Sequence, residues 1–169
     1  MLTNLKKIIF FFLFSLFINA QENNNSDCTS IYLIRHAEKD RSKKDNNNPH
    51  LNLSGQKRAL KWKSFFKNIN FEKFYSTNYY RTLETIKPIS HGNEIILYNP
   101  STIDYKKFII DNLGKTVLIV GHSNTIPTFA NEVLGENIYE QIEDSNNSNL
   151  YVINFCNESK KISSIYFVE

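Results

Sequence analysis

The chain has 169 residues, 41% hydrophobic and 14% aromatic, which is enough to bury one core and too little for two, so a single domain is expected. Its formal net charge of +3 includes Lys6 and Lys7 of an N-terminal leader, and the near-neutral remainder excludes a nucleic-acid-binding protein. Arginine is scarce, at Arg35, Arg41, Arg58 and Arg81; where lysine is the default cation, an arginine marks a place that needs a rigid planar fork of donors.

In residues 1–20, Lys6 and Lys7 precede an apolar run from Ile8 to Ile18, and Asn19-Ala20-Gln21 follows with a small residue at a cleavage point. This reads as a secretory signal peptide, since the run is well short of the roughly 20 residues that span a bilayer. The mature chain is expected to be exported, periplasmic or secreted, with no membrane attachment. Residues 21–29 read as a flexible linker and residues 30–169 as the domain. Cys28 and Cys156 would then sit in an oxidising compartment where a disulfide persists; spacing alone leaves open whether they pair or stay thiols.

Residues 30–35 form a short apolar run, Ile31, Leu33 and Ile34, of the kind found in strands covered on both faces. Residues 38–50 are a charged, Asn-rich loop. A helix is predicted over 55–68, capped by Ser54, with Ala59, Trp62, Phe65, Phe66 and Ile69 recurring at helical spacing as its core face. A second strand covers 71–76, and a second helix 79–90 is kinked or ended by Pro88. A third strand is predicted over 94–98. A third helix starts at Ser101 or Thr102 and runs to Leu113, with Gly114 at its C-terminal cap. Thr116-Val117-Leu118-Ile119-Val120 is the clearest buried strand, followed by Gly121-His122-Ser123-Asn124 and a helix over 125–134 closed by Gly135. Strands over 150–155 and 163–168 join through Asn157-Glu158-Ser159 as a hairpin.

This alternation predicts an α/β fold: a single-domain, three-layer α/β/α arrangement with a mostly parallel sheet and a C-terminal antiparallel hairpin. Ligands of such sheets collect outside the carboxyl ends of the strands, where the order of connections reverses. Arg35-His36, Ser76-Thr77-Asn78 with Arg81, and Gly121-His122-Ser123 all stand at such ends and can converge on one crevice.

Two histidines and two arginines at that edge suit phosphoryl chemistry. A neutral imidazole attacks phosphorus, and neighbouring guanidinium groups oppose its protonation. The arginines offer bidentate donors to phosphoryl oxygens, and His122 can donate to an equatorial oxygen as charge redistributes. Positioning and charge stabilisation are most of what phosphoryl transfer asks. A zinc site from His36, His50, His91 and His122 fails on spacing, and neither metal nor cofactor is expected.

These residues also carry a family resemblance. Ile34-Arg35-His36-Ala37-Glu38-Lys39 resembles the Arg-His-Gly/Ala signature of the histidine phosphatase, or phosphoglycerate mutase-like, superfamily. Leu53-Ser54-Gly55-Gln56-Lys57-Arg58-Ala59 is similar to its helix-opening element, Tyr75 to Thr85 to its second arginine motif, and Gly121-His122-Ser123-Asn124-Thr125 to its second histidine motif. The resemblance runs in order from about residue 30 to 130 and implies a phosphoglycerate mutase-like fold of the short phosphohistidine-phosphatase branch. It also implies a phosphohistidine intermediate on His36, and a pocket of Arg35, Arg81 and His122 with Asn78 and Ser123 as further phosphate contacts. The substrate would be a phosphorylated small molecule or phosphoprotein. Family members strongly active on small phosphate esters usually place an acid after the third strand; here Asn99 stands there, and Asp104 and Glu38 are the candidate general acids. If neither serves, leaving groups such as the nitrogen of a phosphoramidate are favoured over alkyl phosphates.

Plainer readings apply elsewhere. His50 and His91 read as surface histidines, Arg58 as a salt-bridge partner, and Glu84 as a structural partner for a cation. The loop over 39–44 reads as solvated, or as one wall of the substrate entrance. Ser123 lacks the second glycine of a hydrolase nucleophile elbow. A phosphate-binding or regulatory module that keeps the pocket without turnover is the alternative function. A phosphomutase is less favoured, because the short chain has no insertions to enclose its substrate.

Overall fold

The computed structural model describes residues 28–156 and 160–169; the leader, linker residues 21–27 and the hairpin loop Asn157-Glu158-Ser159 lie outside the described residues. Six strands, β1 (Cys28–Arg35), β2 (Lys73–Ser76), β3 (Ile95–Leu97), β4 (Thr116–Gly121), β5 (Asn149–Cys156) and β6 (Ile162–Phe167), form one sheet in the order β3-β2-β4-β1-β5-β6. β3, β2, β4 and β1 are mutually parallel, β5 runs antiparallel to β1, and β6 antiparallel to β5. Among the described residues there are four helices, α1 (Leu53–Phe65), α2 (Tyr80–Ser90), α3 (Tyr105–Asp111) and α4 (Thr125–Leu134).

Successive side chains of a strand point to opposite faces, and the two halves of the core follow that period. Ile31, Leu33, Val117 and Ile119 pack with Phe108 of α3 and Phe129 of α4 on one face. Ile34, Leu118 and Val120 pack with Trp62 of α1 and Ile86 of α2 on the other. Both faces of β1 and β4 are therefore covered, which is why these strands read as nearly continuous apolar runs.

Several boundaries differ from the sequence reading for local reasons. β1 starts at Cys28 rather than Ser30, because Cys28 and Thr29 already pair with Cys156 and Phe155 of β5. Cys28 and Cys156 are joined by a disulfide across that pairing. α1 is capped by Asn52 rather than Ser54: the Asn52 side-chain oxygen accepts from the Gly55 N–H at 2.9 Å, so the helix opens at Leu53. α3 opens at Tyr105 rather than at 101–102, since Asn99 closes a tight turn there and Asp104 caps the helix by accepting from the Lys107 N–H at 3.0 Å. Phe65, expected in the core, is 47% exposed, whereas Trp62 and Phe66 are buried and stack with ring centroids 5.4 Å apart. Pro88 stays inside the last turn of α2, which ends in left-handed backbone at His91 (φ 51°) and Gly92 (φ 88°).

Two glycines are set by close approach. A Cβ on Gly55 would overlap the backbone carbonyl of Glu38, and one on Gly121 would sit 2.7 Å from the Tyr98 hydroxyl. Gly55 thus lets α1 press against the segment that follows β1, and Gly121 lets β4 end in a narrow space.

Candidate active site

The sheet brings three chain-distant segments to one edge. Arg35 and Gly121 are register partners at the carboxyl ends of β1 and β4, and Ser76 of β2 pairs with Val120. His36 follows Arg35, Thr77 and Arg81 follow Ser76, and His122 follows Gly121. The His36 and His122 rings lie 5.5 Å apart, centroid to centroid, and an Arg81 Nη lies 3.4 Å from His122 Nδ1.

His36 is held on every backbone side: its N–H donates to the Gly121 carbonyl at 2.9 Å and its carbonyl accepts from the Asn147 side-chain amide at 2.8 Å. Its ring Nδ1 lies 2.7 Å from the Ala37 carbonyl. A carbonyl only accepts, so Nδ1 carries the proton and Nε2 keeps its lone pair. Among the described residues Nε2 has no hydrogen-bond partner. Burial of the ring, 4% exposed, and then the charges of His122, Arg35 and Arg81 hold His36 down at about 3, so the imidazole is neutral at ordinary pH.

His122 is set by a chain of hydroxyls. Thr77 Oγ1 lies 2.9 Å from its Nε2 and donates to Thr82 Oγ1 at 3.0 Å, while Thr82 Oγ1 lies within 2.9 Å of the carbonyls of Thr77 and Tyr79. With the Thr77 proton directed to Thr82, the Nε2–H of His122 donates to Thr77, and Nδ1 accepts from Arg81. Burial, followed by the charges of Arg81, Arg35 and Lys39, brings His122 down to about 4. In this arrangement His122 presents an acceptor at Nδ1, so donation to a phosphoryl oxygen from that nitrogen requires an anion to favour its protonation.

The two arginines differ. The expectation that both offer bidentate forks is corrected for Arg35: its Nη1 donates to the carbonyls of Glu143, Asp144 and Asn146 at 2.9–3.0 Å, and its Nη2 to the Asp144 carboxylate at 2.9 Å. Asp144 also pairs with Arg41 at 2.8 Å, and these two guanidinium groups hold its carboxyl down at about 2. Arg81 is held loosely, with 3.4 Å contacts to the Asn47 carbonyl and His122 and its guanidinium over the Tyr79 ring. The Nε of each of these two arginines is buried with no partner among the described residues. Buried N–H groups are rarely left so, and these two are donors suited to an anion.

Two hollows flank the histidine pair. One, about 450 Å³, is lined by Arg35, His36, Glu38, Lys39, Arg41 and Asp144 with others. The second, about 520 Å³, is lined by Asn78, Tyr79, Arg81, Tyr98, Asn99 and His122 with others, and contains no carboxylate among its lining residues. Of the candidate acids, Asp104 lines neither hollow, and its Oδ1 caps α3 by accepting from the Lys107 N–H. Glu38 does line the first, with one oxygen paired to Arg58 Nε at 2.7 Å and the other buried without a partner. Asn78 lines the second hollow. Ser123 lines neither, and its carbonyl accepts from the Ile142 N–H. Glu84 pairs with the exposed His50 and also accepts from the Leu51 N–H.

Thr82, Asn147 and the 143–146 loop are not identified from sequence, and the contact of Thr77 with His122 is not either. Thr77 lies inside a quoted motif. The loop has no periodic signal, yet β5 is antiparallel to β1, so residues just before β5 necessarily lie at the carboxyl end of β1.

The profile of the histidine phosphatase superfamily (branch 1) matches residues 31–100. No curated protein sequence matches the chain. A mutant phosphoserine phosphatase from Entamoeba histolytica, solved with phosphoserine, is similar at 18% identity and TM-score 0.63, covering 81% of this chain and 96% of its own. The putative phosphohistidine phosphatase SixA from Agrobacterium tumefaciens is similar at 15% identity and TM-score 0.57, covering 80% and 98%. A mycobacterial glucosyl-3-phosphoglycerate phosphatase is similar at 8% identity and TM-score 0.63, covering 84% and 100%. At these identities the likeness is one of fold.

Proposed function

We propose that the chain is a member of the histidine phosphatase superfamily, whose profile matches residues 31–100, and that it is an exported, metal-independent phosphatase acting on a phosphomonoester or phosphoramidate. His36 Nε2 attacks phosphorus, the bond from phosphorus to the leaving oxygen or nitrogen breaks, and water then cleaves the N–P bond to release inorganic phosphate. The observation that carries this reading is the unpartnered Nε2 of a neutral His36 in company with two buried, unpartnered arginine N–H donors. Arg35, Arg81 and His122 stabilise the transferring group, with Asn78 at the rim.

The carboxylate-free wall of Tyr79, Tyr98 and Asn99 favours substrates whose leaving atom needs little protonation, a phosphoramidate above an alkyl phosphate. That a putative phosphohistidine phosphatase shares the fold agrees with this preference. Export is supported by the leader composition and by the Cys28–Cys156 disulfide, which persists in an oxidising compartment.

The same missing carboxylate favours a second reading, a phosphate-binding module without turnover. Hydrolysis of an activated aryl phosphate, with and without chelator, separates the two. Turnover unaffected by chelator supports the phosphatase; tight phosphate binding with no turnover supports the module.

A further inference from the structure

Lys39 stands out among the charged groups around the histidine pair. Arg35 and Arg41 share the Asp144 carboxylate, and Arg58 is spent on Glu38. Lys39 has no ion pair or side-chain hydrogen bond among the described residues, although it lines the hollow that holds His36. Its backbone is not part of a free loop: Lys39 bridges Leu51, the Asp40 N–H donates to the His50 carbonyl at 2.8 Å, and the Asn52 N–H to the Glu38 carbonyl at 3.0 Å. The side chain is half-buried, whereas Lys43 and Lys44 further along are exposed and line neither hollow.

Its surroundings are mostly cationic. Burial, then Arg41 and Arg81, push the Lys39 ammonium down, with Asp144 opposing them and Arg35 adding to them. Lys39 lines only the first hollow, and its charge also opposes protonation of His122, which lines the second. A half-buried ammonium among like charges calls for an anion. Meanwhile Arg35, the first arginine of the motif, has its charge partly offset by the Asp144 carboxylate that it shares with Arg41, and both its Nη groups are engaged. Among the described residues Arg81 and Lys39 are the two cations lining the hollows without a carboxylate partner, and together they match the charge of a phosphoryl dianion.

We propose that Lys39 is a further phosphoryl-binding residue, its ammonium contacting the transferring group and making up for the charge that Asp144 withdraws from Arg35. This rests on reading the site as a phosphoryl pocket. Lysine suits the task because its compact charge on a flexible stem follows the group as it moves from substrate to His36.

The test compares wild type with Lys39→Gln, Lys39→Arg and Lys44→Gln, reading the inhibition constant of inorganic phosphate and kcat/KM for an activated aryl phosphate. Loss of one charge-assisted contact should weaken phosphate binding and lower kcat/KM by about 10-fold or more in Lys39→Gln. Lys39→Arg should recover most of both, and Lys44→Gln should match wild type. Lys39→Gln within about twofold of wild type in both readouts, with wild type active, overturns the role of Lys39 alone. Equal losses in Lys39→Gln and Lys44→Gln also overturn it, by assigning the effect to net charge. A wild type that neither binds phosphate nor turns over overturns the phosphatase reading, and this inference with it.

Discussion

The imidazoles of His36 and His122 stand 5.5 Å apart with their protons fixed in different ways: His36 gives its Nδ1–H to its own chain at Ala37, and His122 gives its Nε2–H to Thr77. One ring therefore offers a nucleophilic nitrogen while the other waits for a charge. The difference comes from backbone and hydroxyl placement, since both rings are neutral and half or more buried.

An anion in the site should change His122. Burial first and the Arg81 charge second bring His122 down to about 4; with Arg81 turned to a bound phosphate the second is offset, and the anion favours the imidazolium. Titration of the imidazole nitrogens by NMR should find the His122 pKa low in the free protein and raised with phosphate bound. An unchanged value would mean that Nδ1 does not meet the anion.

Stability should fall on mild acidification. Both histidines have folded-state values well below the ordinary 6.5, at about 3 and about 4. Between 6.5 and those values the unfolded chain binds protons that the folded chain refuses, so unfolding free energy rises with pH across that window and is lost as pH falls through it. Each histidine contributes a slope of up to about 1.4 kcal/mol per pH unit. The urea midpoint should drop between about pH 7 and about pH 5, and His36→Asn should flatten the drop.

Asp144→Asn should leave Arg35 in place, because three backbone carbonyls still hold Nη1, while removing the charge that offsets it. Inorganic phosphate should bind a few-fold tighter in the variant. The gain should shrink at high salt, since Asp144 is exposed and its effect is screened. Weaker phosphate binding would show instead that Asp144 positions Arg35 and that its charge matters little.

The Cys28–Cys156 disulfide spans a sequence separation of 128 at the amino end of β1, while the site lies at the other end. Replacing both cysteines by serine should cost about 2–5 kcal/mol in urea unfolding. Turnover at room temperature should be unaffected, because roughly 25 Å of strand separates the bond from Arg35.

Legibility in the sequence tracked the strength of local pattern. β1 and β4 are buried on both faces, so Ile31, Leu33, Ile34 and 117–120 announce themselves, and the polar residues straight after them mark the site. Helix starts were less legible: Asn52 and Ser54, or Ser101, Thr102 and Asp104, are all competent caps, and only the neighbouring turn decides among them. The withdrawal of Arg35 into the 143–146 loop was not readable, because its partners are chiefly backbone carbonyls, which every residue type carries. The antiparallel return of β5 was the available clue.

The central claim is that His36 takes the phosphoryl group onto Nε2. Rapid quenching with a labelled aryl phosphate tests it most directly, in wild type and His36→Ala side by side. The account predicts an acid-labile, base-stable phosphoryl adduct in the wild type and none in the variant. Label retained by His36→Ala, or turnover persisting in it, would contradict the account.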